Sequence, residues 1–336
     1  MPLLQVTDLS VGFPTEDGMV HAVRNVSFSL ANGEVLGVVG ESGCGKSVTA
    51  LALMGLLPRN AQISGSIRLD GEELVGLPQS QLARYRGRRI GMIFQDPMTS
   101  LNPVYSIGWQ LVEAVRAHSG IPRKAATERA VELLGIVGIP EPRRRIADYP
   151  HEFSGGMRQR VMIAMAIAND PDVLLADEPT TALDVTVQAQ ILETVMRVKD
   201  ELNAAIIIIT HDLGVVASIA DRVQVMYAGA VVESGSVEDI FYRPRMPYTS
   251  GLLGAIPSVI GRHGRLNQIG GVTPSLIKLK PGCQFADRCP AVLPVCLDAE
   301  PTLVGTDSPD HVAACVRWEE LAGTDVQAMF QKDAAP

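Results

Sequence analysis

Gly40-Glu41-Ser42-Gly43-Cys44-Gly45-Lys46-Ser47 fits the pattern G-x-x-x-x-G-K-[ST], and its flanks supply the context that gives the pattern meaning. Upstream, Glu34-Val35-Leu36-Gly37-Val38-Val39 reads as a short buried strand. Downstream, Ser47-Val48-Thr49-Ala50-Leu51-Ala52-Leu53-Met54 reads as a helix. Strand, glycine turn and helix make a phosphate cradle. Glycines let backbone N–H groups converge on phosphate oxygens, and the helix N-terminus adds partial positive charge. In such a cradle Lys46 reaches the β- and γ-phosphates and the Ser47 hydroxyl ligates Mg²⁺. The run from Gly40 through Val48 is therefore expected to bind a nucleoside triphosphate.

At 336 residues the chain is long enough for a well-buried core and for more than one domain. A hydrophobic fraction of 46% beside 20% charged residues is ordinary for a soluble protein. A formal net charge of -8 carries no basic footprint for nucleic acid. The local basic groups, Arg84 to Arg89 and Arg143-Arg144-Arg145, read as solvated faces or partner contacts. No apolar run approaches the ~20 residues needed to cross a bilayer; Ala204-Ala205-Ile206-Ile207-Ile208-Ile209 has the length and β-branching of a buried strand. The start, Met1-Pro2-Leu3-Leu4-Gln5-Val6, lacks the basic region and apolar core of a signal peptide. These features predict a cytoplasmic chain that meets a membrane only through a partner.

From Leu3 to Ala31 apolar and polar residues alternate around the turn cluster Pro14-Thr15-Glu16-Asp17-Gly18, predicting an antiparallel layer. Phe13, just before that turn, is open to two readings: stacking on an adenine ring, or a plain hydrophobic contact. Ile90 to Phe94 reads as a strand ending at Gln95-Asp96-Pro97. From about Leu101 to Ile146 the pattern is helical, with Ile107, Leu111 and Val115 as one periodic set and Ala130, Leu133, Leu134 and Val137 as another. Ser154 stands where an N-cap belongs, ahead of Gly155 and Gly156, whose N–H groups are left uncovered. The apolar run Val173-Leu174-Leu175-Ala176 delivers Asp177 and Glu178 at the C-terminal end of a strand, where ligands bind in an open α/β sheet. There Asp177 suits the Mg²⁺ shell and Glu178 suits holding a water beside the γ-phosphate. His211 sits in the same way after Ile206 to Ile209. Val223 to Met226 and Val231 to Glu233 predict a hairpin. Beyond Pro244 the proline content rises, which reads as a change from compact core to extended appendage.

In order and spacing, the phosphate loop, Gln95, Phe153-Ser154-Gly155-Gly156-Met157, Asp177-Glu178, Ala182-Leu183-Asp184 and His211 resemble an ABC transporter ATPase over roughly residues 3 to 260. The resemblance implies an α/β fold of the P-loop NTPase class: a RecA-like core with an antiparallel β layer and an α-helical insertion. On this view residues 1–260 form the nucleotide-binding domain, with its helical subdomain at about 97–157, and 261–336 form a cysteine-bearing C-terminal extension. It further implies that Gln95 senses Mg²⁺ and faces a membrane partner. Ser154, Gly155 and Gly156 contact the γ-phosphate of ATP held by an opposing subunit. Glu178 is the catalytic base, with Lys46, Gln95 and the switch histidine His211 completing the catalytic group. Asp184 lies at a dimer interface, and Phe13 fits the adenine-stacking position. Phe153 replaces the usual Leu and Met157 the usual Gln, without removing the hydroxyl or the glycine N–H groups. This form, together with Arg243-Pro244-Arg245-Met246-Pro247-Tyr248-Thr249, is similar to the ATPase subunits of oligopeptide and dipeptide importers.

Cys44 lies in the phosphate loop, whereas Cys283, Cys289, Cys296 and Cys315 crowd the C-terminal part. In a reducing compartment such a cluster reads as metal ligands rather than disulfides. Four thiolates suit a [4Fe–4S] cluster or Zn²⁺, the lack of a C-x-x-C pair makes an ordinary zinc ribbon the poorer match, and thiols that hold no metal are the third reading. The resemblance implies two integral-membrane permease subunits, a second related ATPase, and an extracytoplasmic peptide-binding protein as partners, with no nucleic acid. Three alternatives stand beside it. One is the same role with a nickel chelate or other small cargo. Another is an ABC ATPase acting on DNA or ribosomes, for which neither a second ATPase domain nor a coiled-coil arm is read in this sequence. The third is a cytosolic iron–sulfur or regulatory ATPase whose cysteine tail is the working part.

Overall fold

The computed structural model describes residues 2–181, 183–255, 269–326 and 329–330. Ala182 and the expected domain boundary at 260/261 lie outside them. The chain folds into two compact units that interleave in sequence.

The first unit comprises Met1–Leu3, Leu30–Val35 and Gly76–Ile209. Its centre is three parallel strands, with Val173–Asp177 between Ile90–Ile93 and Ala205–Ile209. Every residue of all three is buried, as an unbroken apolar run in a parallel sheet covered on both faces requires. The register sets Ile93 beside Ala176 and Asp177 beside Ile209, so the acidic pair emerges at the C-terminal edge. The predicted helical stretch resolves into Ile107–Arg116, Arg123–Ile136 and the single turn Pro142–Arg145. Ile107, Leu111 and Val115 bury one stripe of the first, and Ala126, Ala130, Leu133 and Leu134 one stripe of the second. The helix Gly155–Ala166 packs on the long helix Val185–Leu202. A methyl on Gly156 would meet Val187 Cγ1 at 2.6 Å, so the two backbones approach there more closely than any side chain allows.

The second unit comprises Leu4–Ser29, Leu36–Val75 and Thr210–Pro336. Its antiparallel sheet runs in the order Gly18–Leu30, Leu4–Thr15, Gln62–Leu69, Glu72–Glu73, as the alternating pattern near the N-terminus predicts. The strand Val35–Val39 pairs in parallel with Arg222–Tyr227. That strand turns through Ala228 (φ 47) and Gly229 (φ 82) into Ala230–Ser236, a two-residue hairpin whose positive φ values match the twist of its strands.

The described residues past Pro244 do not form an extended appendage. Pro247 opens a helix, Pro247–Gly254, because a proline at the first helical position gives up only an N–H that lacked a partner there anyway. Pro247, Tyr248, Thr249, Ser250 and Gly251 of that helix are buried. Further on, Val312–Ala313 adds to the hairpin, pairing Glu233 with Ala313, and Val304–Gly305 adds beyond it. The extension thus covers a strand edge that would otherwise present unpaired amides. Tyr227, Tyr248 and Phe285 meet at the centre of this unit's core with ring centroids 4.6–5.3 Å apart. An edge-to-face aromatic pair contributes about 0.5–1.5 kcal/mol beyond its buried area.

Candidate functional site

The phosphate loop sits between the strand Val35–Val39 and the helix Lys46–Leu53. Two glycines are fixed by geometry. Gly40 (φ +150) runs so close to the hairpin strand that a Cβ would lie 2.2 Å from the Met226 carbonyl oxygen. Gly45 (φ +103), the helix N-cap, would place one 2.3 Å from the Ala22 carbonyl oxygen. Both obstacles are backbone and cannot swing aside. Within the loop Lys46 is only 6% exposed, and its ammonium donates to the carbonyls of Gly40 (2.7 Å) and Glu41 (3.0 Å). Cys44 Sγ lies 3.6 Å from the same ammonium. Burial pushes the Cys44 thiol above its ordinary value against the pull of the Lys46 charge, so it is a neutral thiol at neutral pH. Ser42, Gly43 and Ser47 are exposed, Glu41 and Val48 half-buried. A cavity of about 170 Å³ opens along Glu41, Ser42, Gly43 and Cys44, walled opposite by Thr273, Pro274 and Leu276. Phe13 is half-buried on the strand Leu4–Thr15, a setting in keeping with either of its two readings.

In the first unit the acidic strand end forms a second centre. Asp177 is 6% exposed and Glu178 half-buried. Glu178 holds a left-handed backbone (φ 47), while its N–H donates to the Ile209 carbonyl at 2.8 Å. A non-glycine residue there costs about 1–2 kcal/mol, and such strain clusters at functional positions. Gln95 Nε2 donates to Glu178 Oε2 at 2.9 Å, and Thr181 Oγ1 donates to the same oxygen at 2.8 Å. Two residues separated by 83 positions are thus joined through one carboxylate oxygen.

Ser154 caps the helix Gly155–Ala166 by accepting from the Met157 N–H at 3.4 Å, as an N-cap serine should. Asp184 caps Val185–Leu202, its Oδ1 accepting from the N–H groups of Thr186 (3.1 Å) and Val187 (3.0 Å). Ser154 and Gly155 are exposed, and Gly156 is half-buried. In the second unit His211 is exposed, immediately ahead of Asp212, which caps the helix Leu213–Ile219.

A phosphate loop, a glutamine-bound glutamate after a buried parallel strand, and a Ser-Gly-Gly helix start together describe an ATP-binding cassette. Residues 23–181 match the ABC transporter family, and residues 232–296 match the C-terminal region of oligopeptide/dipeptide transporters. The oligopeptide transport ATP-binding protein OppD of Mycobacterium bovis is 54% identical over 98% of this chain. The chain belongs to the ABC family of oligopeptide transport ATP-binding proteins.

It spans 54% of the Mycobacterium protein's length, about half. The Salmonella typhimurium OppD is 52% identical, with 95% of each chain covered. Among solved structures, a dimeric ATP-binding cassette in a post-hydrolysis state, bound to ADP and phosphate, superposes with a TM-score of 0.62 at 25% identity. That match covers 70% of this chain and 98% of the other. No helix among the described residues is long and apolar enough to cross a membrane.

The family's C-terminal match includes Cys283, Cys289 and Cys296 and stops before Cys315. The structure nevertheless brings all four thiols to one cleft, lined also by Phe285, Ala286, Ala291 and Leu321. Burial pushes the Cys289 thiol up to about 12 and the Cys315 thiol to about 11, and neighbouring thiols push in the same direction. No metal-holding group of three or more His, Cys, Asp or Glu side chains is formed among the described residues. The convergence suits soft-ligand chemistry, and the four side chains stand short of a closed ligand set.

Three contacts escaped the sequence reading. Thr181 on Glu178 was within reach of it, lying three residues on in a turn. Tyr248, whose phenol oxygen accepts from the Glu41 N–H at 2.9 Å, and Arg288, which pairs with the Glu41 side chain, lie 207 and 247 residues from the loop and leave no local signal.

Proposed function

We propose that this chain is the ATP-hydrolysing subunit that drives import of di- or oligopeptides through a membrane permease. The observation that carries the reading is the Glu178 carboxylate, set on a strained backbone and oriented by Gln95 and Thr181. A carboxylate so held has the fixed direction that a general base for an attacking water needs. Lys46 and the loop N–H groups from Gly40 to Ser47, with Val48 behind them, hold the phosphates. Phe13 stacks on the adenine. Ser47, Asp177 and Gln95 are the residues that would hold Mg²⁺. A hydroxyl at a helix start and a carboxylate at a strand end are hard oxygen donors that suit this ion. When bound there, Mg²⁺ would supply positive charge that offsets the phosphates. His211 steadies the γ-phosphate and the water.

One subunit does not complete a site in this reading. The uncovered N–H groups behind Ser154, at Gly155 and Gly156, are donors for the γ-phosphate held by an opposing ATPase, and Asp184 lies at that junction. The partner is a second, related ATPase, and ATP joins the pair head to tail. Binding favours the closed pair and hydrolysis the open one, a two-state movement passed to two permease subunits. Support for a membrane partner comes from the first unit. After Gln95, large apolar side chains stand exposed at Met98, Val104, Tyr105 and Trp109, with Tyr105 and Trp109 stacked at 4.0 Å. Such a patch marks an interaction surface. The chain then sits peripherally at the cytoplasmic face, and an extracytoplasmic binding protein delivers the peptide.

We assign Cys283, Cys289, Cys296 and Cys315 to a [4Fe–4S] cluster, with Zn²⁺ as the competing occupant of four soft ligands. The domain reading, 1–260 for nucleotide and 261–336 for the extension, belongs to the same proposal.

The test is reconstitution of the chain with its permease, second ATPase and binding protein in vesicles. Labelled peptide should enter only with ATP, and Lys46→Ala should stop it. Uptake that persists in Lys46→Ala, or a chain that fails to sediment with permease-bearing membranes, would overturn the reading. Iron and sulfide analysis after anaerobic purification should give about four of each per chain for a cubane cluster; one zinc, or no metal, would remove the cluster.

A further inference from the structure

The phosphate loop is held from outside by one arginine of the C-terminal extension. Arg288 ends the short turn Ala286–Arg288, directly before Cys289. Its guanidinium grips the Glu41 carboxylate through both nitrogens: Nη1 donates to Oε2 at 2.6 Å and Nη2 to Oε1 at 2.7 Å. The Arg288 side chain is only 5% exposed and that of Glu41 24%. The remaining donors are used as well. Nε donates to the Gly270 carbonyl at 2.9 Å, and Nη1 also reaches the Tyr227 hydroxyl at 3.3 Å. The guanidinium carbon lies 5.8 Å from the Tyr227 ring centre and 5.9 Å from that of Phe285. Arg288 is therefore clamped by Gly270 and Phe285 of the extension and by Tyr227 of the hairpin while it clamps the loop.

Glu41 is the first variable residue of the loop, and it is bound on three sides. Its side chain takes Arg288, its N–H donates to the Tyr248 hydroxyl at 2.9 Å, and its carbonyl accepts from Lys46. Tyr248 and Arg288 both come from beyond the hairpin. Nothing within the loop itself holds the Glu41 carboxylate.

We propose that Arg288 is a positioning residue for nucleotide binding: through Glu41 it fixes the outer turn of the phosphate loop, Glu41 to Cys44, in the form that receives phosphate. The proposal rests on the reading of this loop as the ATP site. It also makes the cysteine turn and the phosphate loop mechanically continuous, since Arg288 and Cys289 are consecutive. A bidentate, mostly buried Arg–carboxylate pair has the directionality for this work, which a lysine point charge lacks.

The test is equilibrium binding of a fluorescent N-methylanthraniloyl ATP with Mg²⁺ to the full chain, with hydrolysis measured at saturating ATP. Arg288→Ala should weaken binding by about tenfold, the scale for a broken charge-assisted pair, with kcat at saturation within about twofold of wild type. Glu41→Gln should weaken it similarly, and the double variant should be no worse than either single one, because both remove the same contact. Arg288→Lys should fall between Arg288→Ala and wild type. Should Arg288→Ala fail to fold, Arg288→Lys and Glu41→Gln, singly and together, complete the cycle. Wild-type affinity in Arg288→Ala, or additive losses in the double variant, would overturn the proposal. Failure of wild type itself to bind, with Lys46→Ala no different, would instead remove the ATP site and the proposal with it.

Discussion

Glu178→Gln separates chemistry from architecture at the proposed base. In the structure Gln95 Nε2 and Thr181 Oγ1 donate to a single oxygen, Oε2, at 2.9 and 2.8 Å. A glutamine with its amide oxygen in that place accepts both bonds and fills the same volume. With both of these bonds kept, the fold should change by about 0.5 kcal/mol, the scale of a mild substitution. What disappears is a carboxylate able to take a proton. Removing a positioned general base lowers rates by about 10²–10⁴, or about 3–5 kcal/mol of barrier at 1.36 kcal/mol per decade. The assay is steady-state phosphate release at protein concentrations that permit pairing, beside thermal melting and nucleotide binding on the same preparation. The expected outcome is a rate lower by two to four decades with an unchanged melting point and undiminished ATP affinity. Hydrolysis at the wild-type rate would refute the assignment of Glu178. A matching fall in melting point would show that the residue serves the fold instead.

Gly45→Ala should reduce ATP binding by more than about tenfold, since φ +103 strains any other residue and the new Cβ meets the Ala22 carbonyl at 2.3 Å; wild-type affinity by titration would contradict this. Phe285→Ala removes a side chain 1% exposed from between Tyr227 and Tyr248 and should cost about 3–5 kcal/mol. Denaturant unfolding with limited proteolysis checks this, and an unchanged midpoint would deny the aromatic centre its role. At Glu73, burial alone would raise the carboxyl, but the Ser66 hydroxyl and the N–H groups of Ile67 and Val75 outweigh it and hold the pKa below its ordinary 4.5. A depressed folded value means a contribution present above pH 4.5 and lost as pH falls through the folded value. Glu73→Gln should therefore be less stable than wild type at neutral pH, with the difference closing in acid; a gap that stays constant in pH-dependent melts would count against the linkage.

Much of the first unit could be read in the chain. Val173 to Ala176 and Ala205 to Ile209 are unbroken apolar runs, and only a strand covered on both faces makes use of such a run. Ser154 stands where a helix start belongs, and it caps one by accepting from the Met157 N–H three residues on. The Glu178 backbone was not legible, because a left-handed glutamate is held by its surroundings rather than by its own preference. Nor was the burial of Pro247 to Gly251. Rising proline content signals irregular chain on average, but a proline at the first turn of a helix obeys the opposite rule.

The division falls along the range of the forces involved. Motif, strand periodicity and capping act over a few residues, so the sequence alone determined that a phosphate loop, an acidic strand end and a Ser-Gly-Gly helix start exist, and in what order. Contacts across 83 residues, between Gln95 and Glu178, and across 247, between Glu41 and Arg288, depend on packing that no local pattern encodes. The same holds for the four cysteines. Their spacing suggested ligands, but only the folding of the extension around Phe285 brought the thiols to one cleft, since burying those apolar rings leaves the chain between them little choice of path.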